Sequence, residues 1–209
     1  MLILGLQRLV VLETPKTGSL ALRAMLKPYT LPLSNEAARH IGFTGYLLRH
    51  AAGLNEAFGG PVQTLAVIRE PLSRMQSWYR YRLRENVAHL PVSTQGMSFE
   101  AFMLAYLSEP PPKFANVGRQ DRFVGWTGRV ARVDHLFDYR HLDQLEAFLS
   151  DQIGDVLTLP ERNVTPLRKP VDYSLSDAVV ARFRDQNAEE FALYAAVSEA
   201  GYLKRPGVR

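Results

Sequence analysis

A short apolar run that ends in a polar turn and continues as a helical pattern occurs twice in this chain. In the first copy, residues 9–13 form an apolar run typical of a buried strand. Residues 14–18 are typical of a turn, and helical spacing then extends from Ser19 to about Pro28. This copy predicts a strand, a turn and a helix in that order.

The second copy begins at residues 64–68, an apolar run that is rich in strand-forming residues. Arg69 stands where the run ends, and Pro71 suits the first turn of a helix because its φ is fixed. Helical periodicity continues to about Glu85. The second copy therefore predicts the same strand, turn and helix.

The rest of the chain gives weaker versions of these patterns. They predict a loop at 86–97, a helix at 98–109, an irregular stretch at 113–129, a strand at 133–139, and helices at 141–154 and 176–200. Strands that alternate with helices predict an α/β fold in three layers, with a mostly parallel central sheet flanked by helices. We expect one domain over residues 1–209.

Composition narrows the possible partners. The chain has no cysteine, which excludes a disulfide framework and a thiolate metal site. A net charge of +4 is compatible with an arginine-rich solvated surface or with attraction for anionic ligands such as nucleotides or acidic sugars. No basic run is interleaved with aromatic residues, so we expect no nucleic-acid partner.

The first apolar stretch of the chain is interrupted by Gln7 and Arg8. It is too short for a membrane span, which needs about 20 apolar residues, and it lacks the features of a signal peptide. We therefore expect a cytoplasmic protein without a membrane partner. The sequence carries no signal of oligomeric state.

The first turn has the chemistry of an anion cradle. A turn that opens a helix leaves backbone N–H groups without partners, here those of Thr17, Gly18 and Ser19. Lys16 adds a positive charge. The lysine precedes the glycine, unlike the order in a Walker A loop. An ordinary strand-to-helix turn is the alternative interpretation.

The second turn extends the pattern. Arg69, Pro71, Arg74 and Ser77 form R-x-P-x-x-R-x-x-S after a strand. Together with P-K-T-G-S at residues 15–19, this pattern resembles the two motifs with which the sulfotransferase family binds 3′-phosphoadenosine-5′-phosphosulfate (PAPS). The pair of motifs is specific, whereas neither is specific alone.

The resemblance implies a P-loop-like sulfotransferase fold with PAPS as sulfuryl donor and PAP as product. It implies that the 5′-phosphosulfate region is held by Pro15, Lys16, Thr17, Gly18 and Ser19. Arg69 and Ser77 would grip the 3′-phosphate. Lys16 would also stabilise the leaving group. Arg74 would either contact the ligand or form a salt bridge.

A weaker likeness lies further along the chain. Residues 160–165 resemble an asparagine-containing loop of carbohydrate-type and bacterial members. Arg168 and Lys169 precede Pro170, where small-molecule members have the glycine of an Arg-Lys-Gly segment. This difference favours the carbohydrate-type branch and leaves open whether these two residues hold the adenine end.

Two residues are candidates for the general base. His40 resembles a histidine that some carbohydrate sulfotransferases place between the two cofactor motifs, and imidazole titrates in a useful range. The alternative is a surface or packed histidine. Glu13 beside the cradle is the second candidate, and its alternative is a buried acid paired with a basic residue. Arg119 and Gln120 would line the acceptor cleft.

Acceptor choice is expected to depend on loops at residues 40–60, 86–97 and 113–129. The aromatic residues Trp78 and Tyr81, with Tyr79, would either stack against a sugar or belong to the core, which the helical spacing favours.

No set of residues has metal-ligand spacing, so no metal is expected. The expected activity is sulfuryl transfer from PAPS to a hydroxyl, less readily an amine, of a carbohydrate or small metabolite. The alternatives are a P-loop-type kinase or NTPase, and a non-catalytic relative that binds a nucleotide or a glycan.

Overall fold

The computed structural model describes residues 1–32, 39–160 and 170–207, and within these ranges the strands form one five-stranded sheet. The strands are β1 (Leu2–Leu4), β2 (Leu9–Leu12), β3 (Gln63–Ile68), β4 (His135–Asp138) and β5 (Tyr202–Lys204). They lie in the sheet in chain order. β2, β3 and β4 are parallel, whereas β1 and β5 pair with their neighbours in antiparallel fashion. The predicted α/β class is confirmed, with a mixed, mostly parallel sheet.

Helices connect the strands. They are α1 (Ser19–Leu26), α2 (Phe43–Tyr46), α3 (Ala52–Ala57), α4 (Pro71–Arg82), α5 (Phe99–Tyr106), α6 (Gln120–Val124), α7 (Leu142–Ile153), α8 (Asp177–Gln186) and α9 (Ala188–Ser198). A π-helical turn, Leu47–Ala51, joins α2 to α3. None of the helices in the described ranges is long and apolar enough to cross a membrane.

Both faces of the sheet are covered, which explains the unbroken apolar run of β2. Leu9 and Val11 pack against α1 and α7 on one face. Val10 and Leu12 pack against α2, α6 and α9 on the other. A strand buried on both faces has no polar alternation, as expected in the parallel part of an α/β sheet.

The sequence predicted β2, β3 and β4 but did not predict the two edge strands. It also predicted loops at residues 40–60 and 113–129 that are partly wrong, because α2, the π-helical turn and α3 occupy most of the former and α6 lies within the latter. The predicted helix over 176–200 is two helices that meet at Asn187. The Tyr106 hydroxyl donates to the side-chain oxygen of Asn187 at 2.7 Å. This tertiary contact stabilises the junction between the two helices.

Candidate functional site

Two strand-to-helix junctions meet at one edge of the sheet. β2 and β3 are neighbouring parallel strands, so their carboxyl ends lie side by side. The Arg69 Nη1 atom, after β3, donates to the Lys16 carbonyl oxygen, after β2, at 3.4 Å. The structure therefore brings together the two segments that the sequence singled out.

The loop after β2 has an unusual backbone. Lys16 and Gly18 both have positive φ values, 73° and 78°. Gly18 is required for a second reason, since a Cβ atom there would lie 3.2 Å from the Tyr139 ring. The Thr17 hydroxyl donates to the Thr14 carbonyl at 2.9 Å, so its proton closes the turn and is not directed at a ligand.

The start of α1 leaves donors available. The Gly18 carbonyl accepts from the N–H groups of Ala21 and Leu22. The N–H groups of Gly18, Ser19 and Leu20 have no acceptor in the described part of the chain. Backbone N–H groups in this position attract anions, and the helix dipole adds to the effect.

Lys16 lies in a strongly cationic environment. Its Nζ atom lies 4.3 Å from the centroid of the Tyr81 ring and 5.6 Å from that of Trp78. Burial lowers the pKa of Lys16 to about 8 from its usual 10.5. Repulsion from four arginines contributes a smaller part of this same decrease: Arg84, Arg69, Arg80 and Arg82. A bound anion would relieve this repulsion.

Arg69 is held firmly at the second junction. Gln120 fixes its backbone, because Gln120 Oε1 accepts from the Arg69 N–H at 2.9 Å and Gln120 Nε2 donates to the Arg69 carbonyl at 2.7 Å. The guanidinium carbon lies 4.7 Å from the centroid of the Tyr139 ring. Burial lowers the pKa of Arg69. No ion pair neutralises Arg69 among the residues described, so its charge is available to an anion.

Two residues beside Arg69 were not found in the sequence analysis. Ser73 Oγ accepts from Arg69 Nε at 2.9 Å. Ser77, which was predicted to share the 3′-phosphate site with Arg69, is buried on α4 and makes no hydrogen bond with Arg69. Glu70 caps α4, because its carboxylate accepts from the N–H groups of Leu72 at 3.0 Å and Ser73 at 2.5 Å. In the sequence, the contact between Arg69 and Ser73 could have been inferred from their spacing of four residues, which is about one helical turn.

The second motif arginine has a structural role. Arg74 is 2% exposed, and its Nη2 atom lies 3.0 Å from Glu190 Oε1 and 2.8 Å from the Gly118 carbonyl. Of the two roles that the sequence left open, the structure favours the salt bridge.

The aromatic residues of α4 divide between core and site. Tyr79 is buried in the core, as predicted, and its hydroxyl donates to the Met97 carbonyl. Trp78 is partly buried against the same cluster. Tyr81 faces Lys16 instead.

His40 lies next to the end of β2. Its Nδ1 atom is 2.8 Å from the Glu13 carbonyl oxygen. Because a carbonyl oxygen only accepts, Nδ1 carries the proton in the neutral ring and Nε2 carries the lone pair. Nε2 has no hydrogen-bond partner among the described residues, and the side chain is exposed. This arrangement suits a group that accepts a proton.

The Glu13 carboxylate is engaged by positive charges. The residue is 1% exposed, and Arg23 Nε donates to its Oε1 at 3.1 Å. The other oxygen contacts Arg23 Nη2 and the Met1 amino group. These contacts favour the alternative interpretation of Glu13 as a buried acid paired with a basic residue.

A cavity of about 630 Å³ lies beside α6. Arg119 lines it, but Gln120, the other residue predicted for an acceptor cleft, is 1% exposed and instead fixes Arg69. All of the predicted asparagine loop at 160–165 except Pro160 lies outside the described residues, as does the basic pair Arg168 and Lys169. No cluster of three histidine, aspartate or glutamate residues suited to a metal is present in the described ranges.

Comparison with protein-family models, curated proteins and solved structures gives no match for this chain. Its function must therefore follow from the chemistry of the site.

Proposed function

We propose that this protein is a sulfotransferase with a P-loop-like sulfotransferase fold that transfers the sulfuryl group of PAPS to a hydroxyl, less readily an amine, of a carbohydrate or small metabolite. The contact between Arg69 Nη1 and the Lys16 carbonyl carries this proposal. It joins the two motifs that resemble the PAPS-binding motifs of the family, and it does so at the sheet edge where α/β folds bind ligands.

The residues at this edge fit a donor with several anionic groups. Free N–H groups at the start of α1 and the charge of Lys16 suit the 5′-phosphosulfate region. Arg69 with Ser73 offers a guanidinium and a hydroxyl for the 3′-phosphate. The Thr14 hydroxyl is buried and has no hydrogen-bond partner in the described part of the chain. PAPS, when bound, supplies the activated sulfuryl group.

His40 is the proposed general base. Its Nε2 lone pair accepts the proton of the acceptor hydroxyl. The Glu13 carbonyl holds the Nδ1–H group at 2.8 Å, which fixes the ring orientation and stabilises the imidazolium that forms. The Glu13 carboxylate, paired with Arg23, secures the end of β2 from which this carbonyl projects.

Lys16 is the proposed stabiliser of the leaving group. With a pKa of about 8 it is mostly charged at pH 7. Because the Lys16 ammonium group is already partly desolvated, few water molecules must rearrange around it when negative charge develops on the leaving group. A fixed charge of this kind stabilises the transition state strongly.

The experiment is turnover of PAPS with a panel of saccharides and small alcohols, followed as release of PAP. We expect His40→Asn to lower kcat by about 100-fold or more, because the amide retains a donor to the Glu13 carbonyl but offers no base. Asp151→Asn is the control, since Asp151 is exposed on α7 and lies outside the loops expected to govern acceptor choice, and it should leave kcat unchanged.

Two results would contradict the proposal. Equal turnover by the wild type and His40→Asn would remove His40 from the mechanism. Tight binding of PAP without turnover of PAPS with any acceptor would identify a non-catalytic relative.

A further inference from the structure

A second cavity lies at the opposite edge of the sheet, where the parallel strands begin. Its volume is about 390 Å³, within the range of small-molecule sites. Arg8 precedes β2, Gln63 and His135 begin β3 and β4, and Lys204 ends the antiparallel β5, and all four line the cavity. It is therefore separate from the site at Lys16.

The cavity is positively charged. Arg8 and Lys204 form no ion pair with a described carboxylate, and no acidic side chain of the described ranges lines the cavity. The neighbouring Arg205, in contrast, is neutralised by Asp134 at 2.5 Å. Two uncompensated cations in one concave site attract an anion.

Arg8 stands at a position where glycine would be the easier residue. Its φ is 49°, in the left-handed region that side chains disfavour. The backbone is fixed there, because the Arg8 N–H donates to the Gly5 carbonyl at 3.1 Å and the Arg8 carbonyl accepts from the Gln63 N–H at 2.9 Å. A Cβ atom on Gly60 would lie 3.2 Å from Arg8 Nη1, so this glycine leaves room for the guanidinium. Strain of this kind is concentrated at functional positions.

One wall of the cavity is aromatic, because Phe148, His135 and Tyr202 line it. His135 is 3% exposed, its Nδ1 atom lies 2.7 Å from the Tyr202 hydroxyl, and its Nε2 atom lies 2.8 Å from Gln63 Oε1. The His135 and Tyr202 rings are nearly parallel, at 10°, and the Phe148 centroid lies 4.7 Å from that of His135. Burial lowers the pKa of His135 and so favours the neutral imidazole. A planar group can stack against such a wall.

We propose that this cavity binds a small organic anion that carries a planar ring. Its anionic group pairs with Arg8 and Lys204, and its ring packs against Tyr202 and Phe148, which are partly exposed. This inference is independent of the proposed sulfotransferase activity.

The test uses phenyl phosphate as the probe, titrated into the ¹⁵N-labelled protein and followed by the shifts of backbone amide signals. We expect saturable shifts at residues 7–8, 60, 62–63 and 202–204, with tighter binding than that of inorganic phosphate. Arg8→Gly should weaken binding by about tenfold or more through loss of a charge-assisted contact. It should preserve the midpoint of thermal unfolding, because glycine accepts the left-handed backbone.

Two further variants complete the experiment. Lys204→Gln should also weaken binding, which keeps the test decisive if Arg8→Gly folds poorly. Arg129→Gln removes an exposed charge elsewhere and should bind like the wild type. The proposal is overturned if both cavity variants bind phenyl phosphate like the wild type, if the shifts are confined to residues 16–20 and 69, or if inorganic phosphate binds as tightly as phenyl phosphate.

Discussion

Lys16 concentrates the electrostatics of the candidate site in one residue. A positive φ places it in the turn after β2, and its ammonium group lies against the ring of Tyr81. Burial and the neighbouring arginines both disfavour its charged form. An anionic ligand has the opposite effect, so binding and protonation of Lys16 are linked.

This linkage predicts a pH dependence of PAP binding. The pKa of Lys16 is about 8 in the folded protein and 10.5 as its ordinary value. Between these values the unfolded chain holds the proton and the ligand-free fold releases it, so this group makes the unfolding free energy rise with pH in that window. Bound PAP favours the protonated form, and its Kd should therefore increase above pH 8, by at most about tenfold per pH unit.

Calorimetric titration with PAP at pH 7, 8 and 9 measures the effect. Lys16→Arg is the matched control, since guanidinium stays charged throughout, and its Kd should change little over this range. A wild-type Kd that is the same at pH 7 and pH 9 would contradict the assignment of Lys16.

Motif spacing predicted the positions of Lys16 and Arg69 but not the side chains around them. Ser73 contacts Arg69 through a hydrogen bond across one helical turn, and Glu70 folds back to cap its own helix. The position of Tyr81 in the helical pattern of α4 is one that a core residue could also occupy, so the sequence does not distinguish the two roles. Its position over Lys16 depends on how α4 packs against the loop after β2, which no local pattern encodes.

At the scale of elements, α4 contributes to the site with one part of its surface and to the interior with another. Its first turn follows Arg69, and Tyr81 near its end contacts Lys16. On its buried side, Arg74 joins α4 to α9 through Glu190. Glu190 also accepts from the Gln120 N–H at 3.0 Å, so the same carboxylate supports the residue that fixes Arg69.

Disruption of this ion pair should destabilise the fold. Arg74→Met leaves Glu190 buried without its partner and should lower the free energy of unfolding by about 3–5 kcal/mol. Arg74→Met combined with Glu190→Gln should recover much of the loss, since the amide is neutral and can still accept from Gln120. Urea denaturation of the wild type, both single variants and the double variant measures the coupling. If Arg74 were instead a ligand of the cofactor, Arg74→Met would weaken PAP binding and leave stability nearly unchanged.

The sequence predicted the elements with strong local patterns and missed those that depend on partners. β1 and β5 are only three residues long, and they pair with the outer sides of β2 and β4. Such short strands depend on the neighbouring strand and leave no local pattern in the sequence. The helical segment over 43–57 contains Gly45 and Gly53, which lower helix propensity, and packing against the sheet compensates. The break between α8 and α9 follows from the contact of Tyr106 with Asn187.

At the scale of the whole molecule, the parallel strands give the two edges of the sheet different chemistry. The carboxyl edge carries Lys16 and Arg69, which meet there. Each belongs to a continuous stretch of the chain that can be recognised as a motif. The amino edge is formed by single residues from separate segments of the chain, such as Arg8 before β2 and Lys204 at the end of β5, with no recognisable spacing. For this reason the sequence pointed to the first site and gave no indication of the second cavity.

The most direct test of the proposed function is thermal unfolding with PAP compared with ADP, AMP and ATP–Mg²⁺. PAP at about one hundred times its Kd should stabilise the protein by about 2.7 kcal/mol, which raises the midpoint by roughly 5–10 °C for a chain of this size. The increase should exceed that with ADP and should be lost in Arg69→Ala. An equal increase with ADP, or one that Arg69→Ala retains, would contradict a site for the 3′-phosphate and with it the assignment as a sulfotransferase.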